Sequence, residues 1–199
     1  SVTADPQTKT YGATDPVLTV TYAGFVNGET ATVLGGILAV ARAPGEDVGS
    51  FLITPSGLTS GNYAITFNTG TLDITKAVLS VTADSITKTY GAIDPALTFT
   101  VTGLKFSDTP ATALTGVLTR VAGETPAGSP YSITQGTLAP NSNYTISFTG
   151  NTLTIARAPL SVTADAKTKP YGGADPAFTV SYAGFVNGET PAVLGGTLA

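Results

Sequence analysis

The chain has 199 residues, of which 42% are hydrophobic and 11% charged, and its net charge is −4. Nucleic acid binding is disfavoured, because a phosphate backbone needs clustered Lys and Arg and these nine basic residues are scattered. The chain has no Cys and no His, so it lacks thiolate nucleophiles, disulfides, imidazole bases and the usual zinc ligands. Most enzyme mechanisms are therefore excluded, and no cofactor is expected.

The first 79 residues predict short strands. Apolar residues alternate with polar ones, mostly Thr, in three stretches, as in strands with one buried face. These stretches are residues 18–22, 63–67 and 72–75. The 23 Gly and 13 Pro residues punctuate the sequence and leave no room for long helices. We therefore predict a β-rich fold, all-β to α+β, with at most one short helix in each module.

The segment from Asn27 to Leu34 interrupts the alternation and admits two interpretations. Its polar start and the Gly pair that follows it favour a short helix. The dipeptide Asn27-Gly28 equally favours a hairpin turn of type I′. In either case Phe25, Val33 and Leu34 are expected to lie in the core.

The sequence is repetitive. The pentapeptide Ser-Val-Thr-Ala-Asp begins at Ser1, Ser80 and Ser161, which gives a period of about 80 residues. We assign repeat 1 to residues 1–79, repeat 2 to residues 80–160, and the first half of repeat 3 to residues 161–199. Half a repeat offers little core, so it is either truncated or completed by a neighbour. We expect a piece of a longer array, with Ser1 not the natural start and any targeting signal outside this sequence.

The second repeat keeps the predicted strands, at residues 97–101, 144–148 and 153–155. At the junction, the apolar positions change from even numbers, Leu72 and Ile74, to odd numbers, Leu79 and Val81. The same change recurs across residues 156–159. It predicts that the last strand of one repeat leads into the first strand of the next through a short, stiff linker. The modules would then form an elongated rod.

Recurrent motifs resemble the MBG domain of the YGX type. They are Tyr-Gly-x-x-Asp-Pro, Phe-Val-Asn-Gly-Glu-Thr, an Ala-Gly-Glu lead into Tyr131, and Asn143-Tyr144-Thr145-Ile146. This resemblance covers all three repeats. It implies a tandem module of large bacterial surface or secreted adhesins, such as filamentous haemagglutinin-like proteins, with a fold related to the β-grasp domains of mucus-binding proteins. The resemblance carries no catalytic residues. The second repeat departs from it with Leu-Lys-Phe-Ser-Asp-Thr at residues 104–109.

Three tyrosines are candidate ligand contacts, because an aromatic face and a hydroxyl suit a sugar. They are Tyr11, Tyr90 and Tyr171, each followed by Gly. The alternative is that these tyrosines pack in the core or at a corner, while the glycines permit an unusual backbone turn.

Recurrent charged residues admit further hypotheses. The recurrent acids could bind calcium, which prefers carboxylate oxygens. The alternative is that the side chain of an Asp before Pro caps a local turn. The acids are Asp5, Asp84 and Asp165, and, before Pro, Asp15, Asp94 and Asp175. The lysines at positions 9, 88 and 169 are interpreted as solvated, the alternative being an isopeptide bond to Asn62 or Asn143.

These observations predict a non-enzymatic stalk segment of a bacterial cell-surface or secreted adhesin, located outside the cell and projecting a distal region. Its expected partners are the neighbouring repeats, with no nucleic acid and no membrane insertion, since no apolar run could span a bilayer. One alternative is weak, multivalent binding of glycan or mucin, and another is self-association into filaments through strand edges. Paired carboxylates can hydrolyse glycosides without histidine, so a glycosidase is a further alternative. The repetition argues against it, because an enzyme rarely needs identical sites along one chain.

Overall fold

Short strands dominate the described part of the chain, residues 1–196, in the computed structural model. Those of the first repeat alternate buried and exposed positions, as the Thr-rich alternation predicts. They are β1 (Val2–Ala4), β2 (Gln7–Thr10), β3 (Val20–Tyr22), β4 (Gly35–Arg42), β5 (Gly49–Thr59), β6 (Phe67–Asn68) and β7 (Gly70–Thr75).

These strands form two sheets. The three-stranded sheet has the order β3-β1-β6, in which Val2 of β1 lies opposite Tyr22 of β3, antiparallel, and opposite Phe67 of β6, parallel. The four-stranded sheet has the order β2-β7-β5-β4. In it β2 runs parallel to β7 with Lys9 opposite Ile74, and the other pairs are antiparallel. Consecutive strands therefore enter different sheets, except for the hairpin of β4 and β5.

The second repeat follows the same plan. Its strands are β8 (Ala77–Ala83), β9 (Ile86–Thr89), β10 (Phe99–Thr102), β11 (Leu114–Thr115), β12 (Thr119–Arg120), β13 (Tyr131–Thr134), β14 (Ala139–Pro140), β15 (Tyr144–Thr149) and β16 (Asn151–Ala156). The sheets have the orders β10-β8-β15 and β12-β13-β16-β9, with a small pair β11-β14. In the third repeat β17 (Ser161–Ala164) pairs antiparallel with β18 (Val180–Ala183).

The strand predictions are largely confirmed. The predicted strand at residues 144–148 is β15, and the equivalent prediction at residues 63–67 is wrong except for Phe67, which begins β6. In the first repeat the backbone of Asn62 and Tyr63 instead donates to the hydroxyl of Ser60. A local Ser turn thus competes with strand pairing there.

The segment after Phe25 contains both of the predicted features. Asn27 and Gly28 have φ values of 55° and 73°, and Glu29 N donates to Val26 O, which makes a tight turn. A single 3₁₀ turn follows at Ala31–Val33. Phe25 and Leu34 are half-buried, but the expectation for Val33 is wrong, because this turn leaves its side chain 47% exposed.

The other repeats also have short helices at this position. They are α1 (Pro110–Ala113), which Thr109 caps, and a 3₁₀ turn at Pro191–Val193. The second repeat has a further 3₁₀ turn at Pro126–Gly128, so the prediction of at most one short helix in each module is wrong there, because Thr125 caps a second local turn. Across the described residues, no helix has the length and apolar character that a membrane crossing requires.

The predicted change of buried face is confirmed at the first junction, whereas at the second Leu153 and Ile155 are buried but Val162 and Ala164 of β17 are exposed. Leu72 and Ile74 of β7 are buried, and after Lys76 the buried residues are Ala77, Leu79, Val81 and Ala83 of β8. A single residue separates the two strands, so the chain passes from the four-stranded sheet of one repeat directly into the three-stranded sheet of the next.

The chain divides into two compact units. The first comprises Ser1–Val81, Val101–Gly116 and Thr137–Thr149; the second comprises Thr82–Thr100, Val117–Gly136 and the described residues from Gly150 onward. Each unit therefore combines parts of two consecutive sequence repeats. The assigned repeat limits, the β-grasp relation and the rod arrangement stay predictions.

Candidate functional site at the joint between repeats

The first repeat contains a cluster of two basic and two acidic side chains. Lys9 Nζ donates to Asp15 Oδ1 and to Glu46 Oε2, each at 2.6 Å. Arg42 Nε lies 2.5 Å from Asp15 Oδ2, and its Nη2 pairs with Glu46. Because alternate residues of a strand face the same side, β2 directs Lys9 toward the core. The cluster ties β2 and β4 to the loops that carry the two acids.

All four of these side chains are charged near neutral pH. Burial disfavours the ammonium form of Lys9, whose side chain is 4% exposed, but Asp15 and Glu46 outweigh burial and raise its pKa. The hydrogen bond from Arg42, followed by that from Lys9, lowers the pKa of Asp15. The expectation of a solvated lysine is therefore wrong at this position, because strand parity buries Lys9 and two carboxylates compensate its charge.

The same cluster recurs in the second repeat, as Lys88, Asp94, Arg120 and Glu124. In the third repeat Lys169 pairs with Asp175, and both side chains are exposed. Asp15, Asp94 and Asp175 therefore each accept from a lysine, whereas the sequence suggested a local turn cap. Lys9 and Lys88 pair with carboxylates rather than with Asn62 or Asn143.

Tyr11 follows β2 and reaches into the next repeat. Its backbone N donates to Thr75 O at 2.8 Å, which holds the residue beside the end of β7. Its hydroxyl donates to Asp108 Oδ2 at 3.0 Å. Its ring makes edge contacts with Phe106 and Tyr144, with centroids 5.2 and 5.3 Å away. All of these residues belong to the first compact unit.

Asp108 accepts from a second tyrosine. Tyr144, at the start of β15, donates its hydroxyl to the same Oδ2 at 2.6 Å and accepts from Lys105 N at 2.8 Å. We call Tyr11, Tyr144 and Asp108 the tyrosine clasp. Burial, followed by the hydrogen bond to Asp108, raises the pKa of Tyr144 to about 12 and also raises that of Tyr11. Both phenols therefore remain protonated donors at neutral pH.

Two further contacts cross the repeat boundary within this unit. Gly12 has a φ of 80°, and a Cβ there would meet the Lys105 side chain at 2.5 Å, so the backbone of one repeat lies directly on the next. The buried Asn143 donates from Nδ2 to Asp47 Oδ1 at 2.8 Å and accepts from Val48 N at 3.0 Å. The joint thus combines apolar packing with satisfied buried polar groups.

The second compact unit repeats the arrangement. Tyr90 N donates to Ala156 O at 2.8 Å, and its hydroxyl donates to Glu189 Oε1 at 2.6 Å. A Cβ on Gly91 would meet Val186 at 2.6 Å. Tyr90 and Gly91 belong to the second repeat, and Glu189 and Val186 to the third, so the bond from tyrosine to acid and the close glycine contact occur at two successive joints.

The structure places the candidate tyrosines differently. Tyr11 is buried and Tyr90 half-buried, each bonded to an acid of the next repeat, whereas Tyr171 is fully exposed. A ligand role for these tyrosines stays a prediction.

Both carboxylate oxygens of Asp5 accept from Thr hydroxyls, those of Thr19 and Thr21, which lower its pKa. Asp165 makes the equivalent bonds to Ser181 and Thr179. These acids therefore bind the neighbouring strand, and the calcium alternative stays a prediction.

The acid of the clasp is a functional residue that the sequence reasoning missed. It occupies one position in all three repeats, as Glu29, Asp108 and Glu189. In the first repeat, Glu29 accepts from Tyr63, which is equivalent to Tyr144. Recurrence of an acid at a fixed distance after Tyr-Gly was the available signal.

A family model for the MBG domain (YGX type) matches residues 1–73, 79–154 and 160–199. No curated protein and no solved structure shows a significant match to the chain. The matched ranges begin near Ser1, Ser80 and Ser161 and account for most of the sequence. The chain therefore belongs to the MBG domain (YGX type) family.

Proposed function

We propose that this chain is a non-enzymatic spacer within a large bacterial cell-surface or secreted adhesin, where it projects a distal region from the cell. In this role the repeats are held in a fixed relation, so the chain sets the length and direction of the stalk and carries out no reaction. The observation that carries the proposal is the tyrosine clasp, since it joins consecutive repeats and its bond from Tyr11 to Asp108 has an equivalent at the second joint, from Tyr90 to Glu189.

The contacts of the joint favour a fixed connection over a flexible one. A flexible linker needs several residues with freedom to rotate. Here one residue, Lys76, separates β7 from β8, and Tyr144 of the adjoining repeat is fully buried against Tyr11. Separating the two repeats would expose the aromatic contacts of Tyr11 and break its bond to Asp108, so bending at this joint is costly.

Weak glycan or mucin binding remains the alternative function. This alternative requires a tyrosine that is accessible to a sugar in each repeat, but the phenols of Tyr11 and Tyr90 are already hydrogen-bonded to acids. That occupancy favours the spacer. We expect no signal when the chain is presented at high density on a glycan array, and binding there would support the alternative.

Distance measurements between spin labels test the spacer directly. The chain has no Cys, so Ser56→Cys in β5 and Ser147→Cys in β15 provide two exposed labelling sites in consecutive repeats. We expect a narrow distance distribution between these labels. Ser56→Cys with Thr19→Cys, both in the first repeat, supplies the width expected within one repeat.

The clasp variant completes the experiment. Asp108→Ala removes the shared acceptor and should broaden the Ser56–Ser147 distribution while leaving the Ser56–Thr19 distribution unchanged. A broad distribution across the joint in the otherwise unaltered chain would overturn the proposed spacer role, because repeats in variable relation cannot transmit direction.

A further inference from the structure

The tight turn that precedes the acid of each joint carries the dipeptide Asn-Gly in two of the three repeats. These dipeptides are Asn27-Gly28 and Asn187-Gly188, and the second repeat has Phe106-Ser107 at the same position. No other asparagine of the sequence precedes a glycine. Because glycine has no Cβ to shield its backbone N, the side chain of a preceding asparagine can approach that atom closely.

Both turns hold Asn and Gly in the same open conformation. The φ values are 55° and 73° at Asn27 and Gly28, and 54° and 73° at Asn187 and Gly188. All four residues are exposed, and a Cβ built on either glycine would meet nothing within 4 Å. A five-membered ring that joins the asparagine side chain to the glycine N therefore has room to form.

The hydrogen bond that closes each turn leaves the reacting groups unused. Glu29 N donates to Val26 O at 3.0 Å, and Glu189 N donates to Val186 O at the same distance. Among the described residues, neither of the two asparagine side chains and neither of the two glycine N atoms bonds to another group of the chain. Four other asparagines each donate from Nδ2 to a neighbouring strand or loop, which holds the side chain in place. They are Asn68, Asn141, Asn143 and Asn151.

Neighbouring segments do not cover these turns. In the first repeat Asn27 is exposed although Tyr63, from the later part of the same repeat, donates to the acid that ends the turn. In the third repeat Asn187 is exposed although Tyr90 of the preceding repeat donates to the equivalent acid. The dipeptide therefore stays open to water both beside the rest of its own repeat and at a joint.

We propose that Asn27-Gly28 and Asn187-Gly188 are sites of spontaneous deamidation, whereas Phe106-Ser107 is inert. The glycine N attacks Cγ of the asparagine, the N–Cγ bond forms, the Cγ–Nδ2 bond breaks, and ammonia leaves with the proton from the glycine N. Water then opens the cyclic imide at either carbonyl and gives aspartate or isoaspartate, so each event adds a negative charge. This chemistry is independent of the proposed spacer role.

Modification at Asn187 reaches the joint between the second and third repeats. Its neighbours Val186 and Glu189 both lie against the preceding repeat, and Glu189 accepts from the hydroxyl of Tyr90 at 2.6 Å. Isoaspartate inserts a methylene group into the backbone between these two contacts, and either product places a like charge close to Glu189. The second joint should therefore loosen as the chain ages. At the first joint the equivalent residue is Phe106, which has no amide to lose.

Peptide mapping by mass spectrometry, after the folded chain has been incubated in mildly alkaline buffer, tests the proposal. The peptides that contain Asn27 and Asn187 should gain about 1 Da with time. Asn62 is also exposed but is followed by Tyr, so its peptide should change far more slowly. Gly28→Ser introduces the residue that the second repeat has in this turn, and it should abolish the gain at Asn27 while Asn187 of the same chain keeps it. No gain at either site, an equal gain at Asn62, or an undiminished gain at Asn27 in the variant would each overturn the proposal.

Hydrogen exchange tests the effect on the joint. In the Gly28→Ser variant only Asn187 should deamidate, and anion exchange separates the modified chains by their added charge. In the modified fraction, the amides of residues 88–92 in the preceding repeat should exchange faster than in the unmodified fraction, while residues 9–13 at the first joint should be unchanged. Equal exchange of residues 88–92 in the two fractions would overturn the effect on the joint.

Discussion

The hydroxyl of Tyr11 donates to Asp108, a residue 97 positions further along the chain and in the following repeat. The same carboxylate oxygen accepts from Tyr144. Three side chains from two repeats thus share one charge inside a single compact unit. If the two repeats separated, the buried phenol of Tyr11 would lose its acceptor, which is costly. The first repeat and the part of the second repeat that belongs to the same compact unit should therefore unfold together.

We expect Asp108→Ala to destabilise the first compact unit. The substitution leaves the hydroxyls of Tyr144, fully buried, and Tyr11, nearly so, without their acceptor. Each unsatisfied buried group costs about 1–3 kcal/mol, so a loss of about 2–4 kcal/mol in the free energy of unfolding is expected. Urea unfolding at neutral pH measures it, and hydrogen exchange assigns the loss to this unit.

Glu29→Ala is the matched control for that measurement. Glu29 occupies the equivalent position but accepts from one tyrosine, Tyr63, which is half-buried. Its removal should cost less than that of Asp108. Equal losses for the two variants would contradict the idea that the shared acceptor is specific to the joint.

Alkaline pH should weaken the clasp. The pKa of Tyr144 is about 12 in the folded chain, whereas an unperturbed tyrosine ionises near 10. A raised folded pKa gives stability that is complete below about pH 10 and is lost as the pH rises through about 12. In an alkaline titration followed by ultraviolet absorbance, the unaltered chain should contain a phenol that ionises late, and the Tyr144→Phe variant should lack it. Superimposable titration curves for the two proteins would refute the raised pKa of Tyr144.

Strand parity made much of the fold predictable. The change of buried face between Ile74 and Leu79 follows from local alternation, and the structure buries these residues as expected. The expectation failed at Val33, because one 3₁₀ turn rotates its side chain outward. Such a turn depends on a few backbone angles, which a pattern of apolar residues does not specify.

The joint was less predictable, because its contacts join residues distant in the sequence. Glu29 and Glu189 lie in identical motifs, but Asp108 stands in a divergent one, which hides the recurrence of an acid. Lys9 occupies a core-facing position by parity, yet its charge suggested solvent. The repeated spacing of Arg42 to Glu46 and of Arg120 to Glu124 was the available signal for a compensating cluster, and the sequence-based prediction did not use it.

Acid pH should weaken the ionic cluster of the first repeat. The pKa of Asp15 is lowered by Arg42 and then Lys9, and that of Glu46 first by Lys9. A lowered folded pKa gives stability that is present above the unfolded value, near 4, and is lost as the pH falls through the folded pKa. The free energy of unfolding should therefore decline across this acid range.

Asp15→Asn should flatten that decline. At neutral pH it should cost about 1–2 kcal/mol, less than a fully buried pair, because Asp15 is 39% exposed and partly screened. Asp175→Asn alters the exposed pair with Lys169 and should change stability little. Urea unfolding across the acid range distinguishes them, and identical profiles for the two variants would count against a role for burial of Lys9.

Gly12→Ala should destabilise the joint for two reasons. A φ of 80° is unfavourable for any residue with a Cβ, at a cost of about 1–2 kcal/mol. The new methyl group would also lie within 2.5 Å of the Lys105 side chain, which must move.

Gly172→Ala is the matched control, since Gly172 has a φ of 74° and nothing within 4 Å of the added Cβ. The two variants share the backbone cost, so the excess loss in Gly12→Ala measures the contact across the repeat boundary. Chemical denaturation of both variants supplies that difference, and a loss for Gly12→Ala no greater than for Gly172→Ala would mean that Lys105 yields freely and that this contact does not hold the repeats together.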